Sequence, residues 1–219
     1  MNGLSLVVAV GIALLTNMLA EYFLSDDLEQ PYARLDPVRQ RFRILRWVGV
    51  LVGMLLLGAI QVHWSHLLVI ALLTVTASTD FETKFLPPDR FVYGSTVLGG
   101  MSACFTHGPI GLRDAVIAQA FCFAVATLGV ALFNLSDSGD IKLAMQFGAA
   151  CASLPMVTFA AFGTWIVACV LFATQLVRNK KQSTWGRAFS QAALYRPPQG
   201  PLLWGGLMLT VVLTQAGGL

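Results

Sequence analysis

The residues of this sequence best suited to chemistry are its eleven acids. Glu21, Asp26, Asp27, Glu29 and Asp36 follow one another around the end of the first apolar run, and Asp114 stands alone. The other five form two groups: Asp80, Glu82 and Asp89, then Asp137 and Asp140. Each group borders an apolar run, so each sits where a helix would end or begin. Two carboxylates from different helices are the minimum apparatus for aspartyl proteolysis. One stays ionised and activates a water as general base, and the other stays protonated and polarises the scissile carbonyl. Held together at low dielectric, both cannot ionise at once, so the pair shares one proton near neutral pH. A metal site on the same carboxylates is disfavoured, because His63, His66 and His107 fall at the opposite ends of the runs. Cys104, Cys122, Cys151 and Cys169 stand singly in apolar segments without a CxxC pair. They read as small buried hydrophobes, and neither metal nor cofactor is expected.

The elements that must position these acids are apolar. Hydrophobic residues make up 56% of the 219, charged residues only 11%, and the mean hydropathy is +0.70. Soluble domains carry about 25% charged residues, so a soluble globular domain, a disordered chain and a nucleic-acid-binding module are all excluded. The expectation is an all-α, polytopic integral membrane bundle forming a single membrane domain over 1–219. At about 20 residues per span the length allows six to eight helices. Apolar runs lie at about 3–24, 47–62, 64–79, 91–107, 114–135, 141–153, 155–177 and 201–217, which predicts eight. Pro155 is expected to break 141–177 into two helices. The first run lacks a basic start and a clean cleavage site, and reads as a retained span. Runs 47–62 and 141–153 are the shortest.

Orientation follows from the basic residues. Arg34, Arg39, Arg41, Arg43 and Arg46 lie in a predicted loop 25–46, and Lys84 and Arg90 in 80–90. Lys142 follows the fifth run, and Arg178, Lys180, Lys181, Arg187 and Arg196 fall in a predicted loop 178–200. Eight alternating spans place all of these on one side and leave only Arg113 on the other. That side is then cytoplasmic, and Asp80 and Asp140 both face it. Trp185, Phe189, Leu194 and Tyr195 give the 178–200 loop the pattern of a short amphipathic helix in the headgroup region.

The local strings sharpen the pair. The first reads Thr79-Asp80-Phe81-Glu82-Thr83-Lys84-Phe85-Leu86-Pro87, the second Ser138-Gly139-Asp140-Ile141-Lys142-Leu143. Here the chain resembles the type IV prepilin and preflagellin peptidases, membrane aspartyl proteases with a GxGD motif. That family carries an Asp at a cytoplasmic helix end with Pro seven residues on, and a second Asp in Gly-x-Gly-Asp-x-Lys-Leu. Asp80 with Pro87 matches the first motif, and Gly139-Asp140-Ile141-Lys142-Leu143 the second. The resemblance spans about 64–177, the expected catalytic core. It implies Asp80 and Asp140 as the catalytic pair, with Gly139, Lys142 and Pro87 as supporting residues. Asp137 replaces the first motif glycine, and Pro88 follows Pro87 where the family has Asn or Asp. Asp137 is a candidate modulator of the pair's charge, or a helix cap ahead of Gly139; Lys84 is a second candidate modulator.

The resemblance implies an endopeptidase of the bacterial inner membrane. It would remove short basic leaders from type IV prepilin or pseudopilin precursors at the cytoplasmic face, with the bilayer and the precursor as its partners. The long bifunctional members carry a cytoplasmic insertion with paired cysteines that accompanies N-methylation. Its lack here leaves methyltransferase activity unexpected. Two rival readings remain: a small proton- or cation-coupled transporter, and a catalytically idle relative acting in pilus or secretion assembly.

Overall fold

The structure is a computed structural model, and it describes residues 3–27, 37–83, 86–133, 138–180 and 199–217. Among these there are seven helices and no strands: α1 (Gly3–Asp27), α2 (Pro37–Ala59), α3 (Trp64–Thr83), α4 (Asp89–Phe133), α5 (Ser138–Cys151), α6 (Leu154–Lys180) and α7 (Gln199–Gly217). Four stretches, Ser5–Ser25, Trp64–Glu82, Asp89–Gly129 and Leu154–Lys180, are helical, long and apolar enough to cross a membrane. Helix is what lipid demands, because every backbone polar group must then be satisfied within its own segment. Large apolar side chains such as Val7, Phe105, Phe162, Trp165 and Leu213 face outward. The central helix is α3, in contact with α1, α2, α4, α5 and α7. Around it Met54, Leu57, Leu67, Ile70, Leu73, Leu143 and Leu207 form the fully buried core.

The fourth and fifth apolar runs, expected as separate helices, are continuous in α4 apart from one reversal. Gly108 has φ 66° and ψ −156°, a backbone state open only to glycine. Pro109 follows as the first residue of the second half, the helix position that best tolerates proline. The two halves then run antiparallel. The Gln119 side-chain amide donates to the Thr96 carbonyl at 3.4 Å, and Leu112 covers Gly100. The loop expected near 108–113 is therefore helix.

The other reversals are equally tight. Gln61 closes α2 with φ 62°. The Val62 N–H reaches the Leu57 carbonyl at 3.1 Å, and the Gln61 N–H that of Gly58 at 3.2 Å. This is a Schellman closure built without glycine. Ala152, with φ 59°, ends α5 by donating its N–H to the Gly148 carbonyl at 3.1 Å. Ser153 then caps α6, its hydroxyl accepting from the Met156 N–H at 3.5 Å. The break expected at Pro155 thus falls at Ala152–Ser153, and Pro155 sits harmlessly in the first turn of α6.

Both predicted loops are shorter than the apolar runs suggested. Helix α1 continues to Asp27 and α2 begins at Pro37, so Arg39, Arg41, Arg43 and Arg46 belong to α2. Likewise 178–180 close α6, and 199–200 open α7. Hydropathy marks only the apolar part of a helix, whereas long basic side chains let the helix run on past it. The amphipathic stretch around Trp185–Tyr195 lies outside the described residues. Helix α5 has 14 residues, a rise of about 21 Å, short of a hydrocarbon core of about 30 Å.

Candidate active site

The two motifs meet. Asp80 lies in the last turn of α3 and Asp140 in the first turn of α5. They are near enough for the charge of Asp140 to act directly on Asp80. Two contacts join the same parts of the chain. Leu86 fills the space beside Gly139, where an added Cβ would stand 3.2 Å from the leucine Cδ1. Lys142 Nζ pairs with Asp89 Oδ1 at 2.6 Å. Leu86 and Asp89 are thereby laid against the start of α5. Pro87 is buried, and the Pro88 carbonyl starts α4 by accepting from the Phe91 N–H at 2.8 Å. The partner of Lys142 is thus Asp89, not the acid pair. Asp89 heads α4 and is no free loop residue. Lys84 and Asp137, the candidate modulators, lie outside the described residues.

Asp80 also has a partner from a distant part of the chain. The Gly200 N–H donates to its Oδ2 at 2.7 Å. Helices α3 and α7 run antiparallel here, and the Trp204 indole N–H donates to the Thr74 hydroxyl at 2.7 Å. Position 200 has no room for a side chain: a Cβ would stand 2.8 Å from the Ala77 Cα and 3.0 Å from Asp80 Oδ2. Farther along α7, Gly206 and Gly163 press the helix directly onto the backbone of α6, the close approach that small residues allow in lipid. Sequence reasoning placed Gly200 in a loop. A Gly-Pro step opening an apolar run was the only available signal.

Beside Asp80 is a cluster of charges. Glu82, within the stretch predicted as a loop at 80–90, is only 10% exposed and pairs with Arg46, itself 6% exposed. Arg46 also reaches Glu21 at 3.4 Å. Glu21 accepts from Arg43 through both oxygens and from the Trp47 indole N–H at 2.6 Å. One carboxylate of α1, two arginines of α2 and one carboxylate of α3 are thus tied together. Burial pulls the Arg46 guanidinium down to about 10 against the attraction of Glu21, so it remains charged at neutral pH. Next to this cluster an apolar groove of about 370 Å³ opens between α2, α3 and α7, walled by Leu45, Val50, Phe81 and Trp204. Ala77 borders both the groove and the Gly200–Asp80 contact.

The histidines gather at the other end of α3. His66 is half-buried and within electrostatic reach of His63 and His107. The Ser65 hydroxyl is within 2.7 Å of His63 Nδ1 and accepts from the Ser102 hydroxyl at 2.9 Å. Fourteen residues separate His66 from Asp80, about 21 Å along the helix. Among the described residues no group of three His, Cys, Asp or Glu side chains is arranged to hold a metal ion. All four cysteines are free, Cys122 and Cys151 buried within helices.

No protein-family model matches the chain, and no curated protein or solved structure is significantly similar to it.

Proposed function

We propose that this chain is a membrane aspartyl endopeptidase, with Asp80 and Asp140 as its catalytic pair. The observation that carries the reading is their convergence: two acids 60 positions apart in sequence come within electrostatic reach of each other at neighbouring helix ends. In this reading one carboxylate takes a proton from the attacking water. The other donates a proton to the carbonyl oxygen of the scissile peptide. The resemblance of both motifs to the prepilin peptidases directs the proposal to precursors of type IV pilin or pseudopilin kind, whose short basic leader precedes an apolar helix. The precursor helix would lie in the bilayer against the enzyme, which fixes the junction beside the acids. Positioning is the largest service an enzyme can offer a flexible peptide.

The proposed topology has eight crossings, the two halves of α4 counting separately. The acids then lie on the cytoplasmic side of a bacterial inner membrane. The support is the basic-residue asymmetry together with the contacts that tie the ends of α1, α2 and α3 into one charged cluster. The acids at helix ends disfavour a transport role, which would place ionisable groups near mid-span along a pathway.

The test is co-expression with a prepilin-like precursor and separation of the processed form on a gel. Wild type is expected to shorten the precursor, and Asp80→Asn and Asp140→Asn each to leave it intact while still accumulating in the membrane. Full processing by either variant would sink the assignment.

A further inference from the structure

We propose that Gly200 is a positioning residue for Asp80, so that α7 belongs to the reacting unit. The inference rests on the peptidase reading and extends it beyond the segment that carries the family resemblance. A carboxylate in the last turn of a helix has two free torsions, and a general base must be held in one orientation to act. The Gly200 N–H supplies that hold at 2.7 Å on Oδ2, leaving Oδ1 as the oxygen that takes the water's proton. The donor is well suited to the task. It belongs to the first turn of α7, where backbone N–H groups have no acceptor within their own helix. Being backbone, it cannot swing away as a side-chain donor could.

The position of this donor is itself fixed. The glycine lets α7 approach to where any Cβ would strike the Ala77 Cα and Asp80. Trp204, one turn on, bonds to Thr74 on α3. At Gly206, α7 is braced against Thr164 and the Ala160 carbonyl of α6. Three contacts along α7 therefore hold one N–H against one carboxylate oxygen.

The experiment has two arms. In the first, Gly200→Ala is compared with wild type and with Gly94→Ala, whose added Cβ meets nothing within 4 Å. Cleavage of a prepilin-like precursor in detergent–lipid micelles is measured over a range of precursor concentrations. Gly200→Ala should lower kcat at least tenfold with KM within twofold, and Gly94→Ala should match wild type. In the second arm, hydrogen exchange of the Gly200 amide is followed by NMR in glycine-labelled protein. That amide should be protected in wild type and should exchange at least tenfold faster in Asp80→Ala, with the Gly206 amide unchanged. A Gly200→Ala enzyme with normal kcat, or one impaired only in KM, overturns the proposal. So does a Gly200 amide indifferent to Asp80, a result readable even if Gly200→Ala fails to fold. A wild type that cleaves no precursor overturns the peptidase reading instead, and the exchange arm then decides the Gly200–Asp80 contact by itself.

Discussion

Replacing Glu82 by Gln tests the charge cluster beside the acid pair. The change keeps the shape of the side chain but removes the charge facing Arg46, whose own side chain is only 6% exposed. At an effective dielectric of about 20 and a charge separation of about 4 Å, the lost attraction is about 4 kcal/mol. Buried pairs broken at one partner cost about 3–5 kcal/mol, because the survivor is left uncompensated. Glu21, 3.4 Å from Arg46, offsets part of this, and the expected loss is about 3 kcal/mol. The double variant Arg46→Met with Glu82→Leu removes both charges and leaves Glu21 paired with Arg43 and Trp47. It should recover most of the loss, since apolar replacements of whole buried pairs are often neutral or stabilising. Denaturant titration in mixed micelles, followed by tryptophan fluorescence, measures both, provided the transition is two-state. A loss below about 1 kcal/mol for Glu82→Gln, or a double variant as unstable as the sum of its singles, would refute the reasoning.

The remaining expectations concern helix packing. Gly206→Ala should destabilise by about 1–3 kcal/mol, as overpacking does, because its Cβ would overlap Thr164 and the Ala160 carbonyl; thermal melting in micelles reads the effect. Gly94→Ala, at an exposed helical position with open space around it, should be neutral or stabilising by up to about 1 kcal/mol in the same assay. Trp204→Phe keeps an aromatic ring but loses the bond to Thr74. It should cost about 1 kcal/mol and slow cleavage less than Gly200→Ala does.

The helical architecture was readable from the sequence, since apolar runs in lipid have one regular conformation available. Alternation of the runs led to the expectation that Asp80 and Asp140 share a side, and the two lie within electrostatic reach of each other. The cluster around Arg46 was not readable, because basic and acidic residues near an apolar boundary look alike whether they face water or one another. Glu82 is two residues from Asp80, yet it turns toward α2 while Asp80 turns toward α7. Only the neighbours on each face of α3 decide that. The contact of Gly200 with Asp80 spans 120 positions and uses a backbone group, which every residue but proline carries and no motif marks. The gaps between runs marked the reversals near Gln61 and Ala152, but not the residues that make them: a left-handed residue is usually glycine, and here it is neither time.

Those reversals, with Gly108, join neighbouring helices tightly. Three connections close in one to four residues: Ile60–His63, Gly108 and Ala152–Ser153. Helix pairs joined this short part less at the joint than at their far ends, and for α3 and α5 the far ends hold Asp80 and Asp140.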